Sequence, residues 1–117
     1  MVVLPHGGPI GVSDQGAYEA ETQMLAAAGY AVLQVNFRGS SGYGRAHMQA
    51  ARKQWGLSMQ DDVTDATRWA IEQGVADKDR ICIYGASYGG YATLAGVTYT
   101  PDLYAAAVDY VGVPCWT

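Results

Sequence analysis

The chain has 117 residues, half of them hydrophobic and 15% charged, with 15 glycines and a formal net charge of −4. That apolar fraction excludes a disordered tail, which goes with low hydrophobicity and high net charge. Seven basic residues against 11 acidic, with no basic cluster, leave no cationic face for nucleic acid or an anionic membrane surface.

The first apolar run, Val2 to Pro5, reads as a strand that empties into the loop His6-Gly7-Gly8-Pro9. A helix is expected over Asp14 to Ala28, with Tyr18, Met24, Leu25 and Ala28 on one side and Gly29 as its stop. Tyr30 to Asn36 is a second strand, followed by the loop Phe37 to Gly44, and His47 falls on a short helix beyond it. Ser58 opens the next helix with Asp61 in a capping-box arrangement, and Met59, Val63, Ala66 and Ala70 form one buried stripe before Gly74 ends it. Arg80 to Gly85 is the third strand, Ser87 to Thr98 a helix closed by Pro101, and Ala106 to Val113 the fourth strand. Cys82 lies in the third strand, where a buried free thiol is expected; with Cys115 it makes neither a disulfide framework nor metal-ligand spacing. No apolar run approaches the ~20 residues of a membrane span. The N-terminus MVVLPHGG lacks the charged and apolar regions of a signal peptide, so a soluble chain of undetermined compartment is expected.

Strands alternating with helices, and nearly continuous in apolar residues, imply parallel βαβ units covered on both faces. The expected fold class is therefore α/β, with a parallel sheet of about four strands and helices on both faces. Such sheets work at the carboxyl ends of their strands. The loops after the first three strands should open together on that edge.

Gly85-Ala86-Ser87-Tyr88-Gly89 is a G-x-S-x-G sequence with an apolar strand leading in and a helix leading out. A serine on such a turn holds its hydroxyl clear of the sheet, at a helix N-terminus that favours developing negative charge. Ser87 is the expected nucleophile. The oxyanion hole is expected from the backbone N–H of Tyr88 and of Gly8, where only glycine allows so close an approach. His6 precedes the serine and sits in that loop, against the Ser–acid–His order of this kind of site.

The ordered motifs HGGP (His6 to Pro9), NFRGSSGYG (Asn36 to Gly44), W-G-x-x-x-x-D-D (Trp55 to Asp62), GASYGG (Gly85 to Gly90) and TPDLYAAAV (Thr100 to Val108) resemble the prolyl oligopeptidase family of serine peptidases, acylaminoacyl-peptidase and dipeptidyl-aminopeptidase members above all. The resemblance implies a partial α/β-hydrolase fold over residues 1–117, peptide-bond hydrolysis by acyl transfer through Ser87, short peptides as substrates, and neither cofactor nor metal. It implies that Arg38 and Asp62 fix loops, and that Tyr43 lies beside the site. Both histidines, His6 and His47, come before Ser87, and only Asp102 and Asp109 follow it as acids. Asp102 belongs to the Pro-Asp-Leu-Tyr turn and reads as a helix-start residue; Asp109 is a weak candidate for the triad acid and otherwise a hydrogen-bonded strand residue. The expected organisation is the first half of a catalytic domain, its triad acid and base lying further on, without the β-propeller of complete relatives. An esterase or lipase of the same fold, or a catalytically silent or binding fragment, are the alternatives. An exposed sheet edge invites self-association.

Overall fold

The structure, a computed structural model, describes residues 1–113. The Cys115 reading falls outside the described residues. Eight elements follow in order: β1 (Val2–Val3), α1 (Ala20–Ala27), β2 (Val32–Leu33), α2 (Arg45–Gln49), α3 (Ser58–Glu72), β3 (Cys82–Ala86), α4 (Tyr88–Tyr99) and β4 (Ala106–Tyr110). The four strands form one parallel sheet in the order β2-β1-β3-β4. Register runs Val3 to Leu33 on one side and Val3 to Ile83 on the other, and Cys82 to Ala106 through Ala86 to Tyr110 across β3 and β4. β1 is short because Pro5 has no N–H to give the ladder, although Leu4 N–H still reaches Leu33 O at 2.8 Å.

Alternation along β3 separates the two faces of the sheet. Ile83 and Gly85 turn inward and are buried. Ile83 joins Val3, Phe37, Met59, Val63, Ala70, Ile81, Tyr88, Ala92 and Tyr104 in the core beneath α3 and α4. Full burial of such side chains stabilises by about 1.5–3 kcal/mol each. Met59, Val63 and Ala70 form the expected stripe of α3, with Ala66 half-buried.

Cys82 and Tyr84 turn to the opposite face, where α1 lends Leu25 to an apolar groove with Val108 and Tyr110. This corrects two expectations. Cys82 is half-buried, not buried, because it faces that groove. β4 is exposed along its whole length, with Val108 at 56% and Tyr110 at 63%, so the sheet is covered on both faces only in part.

α1 also departs from expectation: it starts at Ala20, buries none of its residues, and leaves Tyr18 and Met24 exposed. Residues ahead of it are held by tertiary hydrogen bonds instead. Asp14 N–H donates to Asn36 Oδ1 at 2.8 Å, and Asn36 Nδ2 donates back to Asp14 O at 3.1 Å. The capping box does not form either. Ser58 is the first residue of α3, and its hydroxyl donates to Gln54 Oε1 at 3.0 Å. Asp102 lies in an exposed turn, not at a helix start. Among the described residues, no helix is long and apolar enough to cross a membrane.

Candidate active site

Ser87 stands between β3 and α4 with φ 56° and ψ −119°. This left-handed backbone is strained for any residue with a Cβ. Three hydrogen-bond and packing constraints maintain it. Ser87 N–H donates to Tyr110 O at 3.2 Å, and Ser87 O accepts from Tyr91 N–H at 3.1 Å. The third constraint is the close passage of backbone on either side. A Cβ on Gly85 would overlap the Gly89 backbone, and one on Gly89 would overlap the Pro5 carbonyl. Gly89→Ala is therefore expected to lower stability by about 2–3 kcal/mol or more, as overpacking against unyielding backbone does. Thermal denaturation of the variant beside the parent chain measures it.

The side chain of Ser87 is exposed, while Tyr88 behind it is buried. The Tyr88 ring packs on Trp55 at 4.4 Å edge-on, on Phe37 at 5.4 Å and on Tyr91 at 5.7 Å. Burial, with smaller contributions from Tyr91 and Asp62, pushes its phenol well above the ordinary value. The Tyr88 side chain is thus an anchor for the turn, and its N–H is the first of α4. The positive end of the helix dipole lies at this turn.

The loop after β1 sits against the turn. A Cβ built on Gly7 would lie 3.5 Å from Ser87 Cβ and 4.0 Å from Tyr88 N. Gly8 follows at φ 121°, a conformation open to glycine and strained for other residues. His6 makes two bonds inside this loop system: Nδ1 to Gly7 O at 2.7 Å and Nε2 to Ser40 Oγ at 2.9 Å. Its ring stacks on Phe37, centroids 4.5 Å apart. The three expected loops do meet on one edge: Gly7 lies against Ser87, Gly11 N–H donates to Gly39 O at 3.0 Å, and Ser41 N–H to Val12 O at 3.1 Å.

The loop after β2 is itself clamped. The Arg38 guanidinium grips Asp62 on α3 through Nη2 at 2.8 Å and Nε at 2.9 Å, and Arg38 N–H adds 2.9 Å to the same carboxylate. Arg38 Nη2 also donates to Ser58 O at 3.0 Å. The bond to Asp62 holds the guanidinium above its ordinary pKa. Such forked, charge-assisted pairing is a loop-fixing device. Tyr43 is 58% exposed and accepts from Asn36 Nδ2 at 2.9 Å, with its ring over His47.

Two further residues have defined surroundings. His47 Nε2 bonds Phe37 O at 3.0 Å, a structural contact. Asp109 pairs with Gly85 in register, and its carboxylate lies between Gly90 and Gly112, where a Cβ on either glycine would overlap it. That is the α4 face of the sheet. Ser40, fully buried beneath His6, drew no attention in the sequence, since a serine in a glycine-rich loop carries no distinguishing spacing.

Beside the turn lies a cavity of about 230 Å³, lined by Gly7, Gly85 and Ala86 together with the carboxylate residues Asp14, Glu19 and Glu21. Burial raises the Asp14 carboxyl; His6 acts in the lowering sense and Glu19 in the raising sense.

The prolyl oligopeptidase family model matches residues 17–117. The chain is 51% identical over 112 residues to dipeptidyl aminopeptidase BIII of Pseudoxanthomonas mexicana, covering 96% of this chain and 16% of that enzyme. Among solved structures, a puromycin-hydrolysing peptidase of Mycobacterium tuberculosis superposes with a TM-score of 0.88 at 38% identity, over 96% of this chain and 17% of that one. Pyrococcus horikoshii acylaminoacyl peptidase superposes at 0.85 with 34% identity, over 96% and 18% respectively. The chain thus spans less than a fifth of each of these proteins.

Proposed function

The chain belongs to the prolyl oligopeptidase family of serine peptidases, a family of α/β-hydrolase fold, and on that premise we propose that it carries the nucleophile and the oxyanion hole of a peptidase site. The observation that carries this reading is Ser87 at φ 56°, exposed at the head of α4 with the Gly7–Gly8 loop against it. Ser87 Oγ attacks the scissile carbonyl carbon and gives its proton to a base. The carbonyl oxygen takes the negative charge and is met by the N–H groups of Tyr88 and Gly8. Collapse breaks the C–N bond, the amine leaves with the proton, and water then releases the acyl group from Ser87.

A serine hydroxyl needs a base, itself oriented by a third group. His6 and His47 are committed to Ser40, Gly7 and Phe37, and the Asp109 carboxylate is lodged against the first turn of α4. We assign base and acid to sequence outside these 117 residues, so that residues 1–117 are part of a catalytic domain. Peptide hydrolysis is favoured over ester hydrolysis by the relatives, a dipeptidyl aminopeptidase and an acylaminoacyl peptidase among them. Short peptides are the substrate class. The exposed edge and face of β4 are, by the same reading, surfaces for the remainder of the protein or for a second copy.

The test is covalent labelling with a fluorophosphonate probe, located by mass spectrometry. The complete enzyme is expected to take the label on Ser87, and the isolated 117-residue chain to take none. A label on another serine of the complete enzyme overturns the assignment of the nucleophile. Labelling of Ser87 in the isolated chain overturns the claim that the base lies elsewhere.

A further inference from the structure

We propose that Ser40 is a positioning residue of the oxyanion hole: its buried hydroxyl holds His6 in the one tautomer that grips the Gly7 carbonyl and aims the Gly8 N–H. The inference rests on the reading of Gly8 as an oxyanion donor and adds to it a residue far away in sequence.

The argument begins with what each atom can do. Gly7 O is a carbonyl and only accepts, so the 2.7 Å contact from His6 Nδ1 requires the proton on Nδ1. In the neutral ring Nε2 is then bare and must accept, so at 2.9 Å the Ser40 hydroxyl is the donor. In the other tautomer a bare Nδ1 would face Gly7 O, two acceptors with no proton between them. Ser40 is fully buried, so its hydroxyl is out of contact with bulk water. Its backbone is fixed as well, Ser40 N–H donating to Phe37 O at 3.0 Å, and Phe37 is the residue on which the imidazole stacks. The ring is held by its face and by both nitrogens.

The consequence lies in the peptide group. Gly7 C=O and Gly8 N–H belong to one planar trans unit and point in opposite directions. Fixing the carbonyl end fixes the N–H end. Gly8, with no Cβ and a φ of 121°, has a wide range of accessible backbone angles, and such a restraint puts the donor in place before charge develops. The hydrogen bond to the carbonyl also polarises the unit and strengthens its N–H as a donor. A chain of bonds runs from Ser40 through His6 and the Gly7–Gly8 peptide to the site of the oxyanion.

The experiment compares Ser40→Ala, Ser40→Thr and Ser87→Ala in the complete enzyme, with an aminoacyl or dipeptidyl nitroanilide. Ser40→Ala frees the tautomer without deleting the donor. Its kcat is expected to fall about tenfold, less than the ~10²–10³-fold loss of an oxyanion donor removed outright, with KM unchanged. Ser40→Thr, which restores a hydroxyl, is expected to recover most of the loss. Should Ser40→Ala give no folded protein, Ser40→Cys, close in size and a weak donor, is read in the same way. A kcat for Ser40→Ala equal to the parent overturns the proposal. So does a loss shared between kcat and KM that Ser40→Thr leaves unrepaired, the sign of a merely structural residue. If instead Ser87→Ala hydrolyses as well as the parent, it is the peptidase reading that has failed.

Discussion

Alanine at position 87 of the complete enzyme is expected to lower kcat by on the order of 10⁶-fold, the loss seen when a triad nucleophile is deleted. That is about 8 kcal/mol of transition-state stabilisation. The fold should survive, because Ser87 is exposed and alanine meets the same strain as serine at φ 56°. Residual hydrolysis should remain above the uncatalysed rate, since Tyr88 N–H and Gly8 N–H would still polarise a bound carbonyl. Steady-state hydrolysis of an aminoacyl nitroanilide, with a circular dichroism spectrum of the variant beside it, measures both parts. A variant that retains a tenth of the parent activity would show that another group attacks the substrate.

His6→Ala is the second large effect, and its size distinguishes two roles for the same imidazole. As the fastener of the Gly7–Gly8 peptide, His6 contributes to one oxyanion donor, so its removal should lower kcat by roughly 10²–10³-fold with KM little changed. As a triad base it would be worth about as much as the nucleophile itself, on the order of 10⁶-fold. The bonds of 2.7 Å to Gly7 O and 2.9 Å to Ser40 Oγ support the smaller number, because both ring nitrogens are occupied by the loops after β1 and β2. A loss equal to that of Ser87→Ala would return His6 to the chemistry. Stability should fall as well, since Phe37 loses its stacking partner and the buried Ser40 hydroxyl its own.

The readable parts of the site were those whose constraint is local. Gly85, Ser87 and Gly89 occupy one strand-to-helix turn, where side-chain size alone decides whether the strand and helix backbones can pass, and that requirement is written into five consecutive residues. The stripe of α3 was readable for the same reason: Met59, Val63 and Ala70 share a face by helical geometry whatever they pack on. Residues answering to distant partners were misread. Asp14 to Glu19 carry a helix-compatible pattern, yet Asn36 holds Asp14 and Gln34 Nε2 reaches Glu19 Oε2 at 3.2 Å, so the helix waits until Ala20. Ser58 has the spacing of a cap, but Gln54 competes for its hydroxyl. Cys82 has the neighbours of a core residue, but alternation along β3 sends it to the groove.

By itself the sequence determined the α/β class, the order of strands and helices, the strand-to-helix turn that carries Ser87 and the family to which the chain belongs. These are properties of spacing, and spacing survives in one dimension. Only the tertiary structure decided how the loops serve that turn. Arg38 and Asp62 are 24 residues apart, and His6 and Ser40 are 34 apart, with nothing in the intervening sequence to pair them. His6 and Ser40 meet because a parallel sheet brings the carboxyl ends of its strands to one edge, and Arg38 reaches Asp62 because the first turns of α3 lie against the loop after β2.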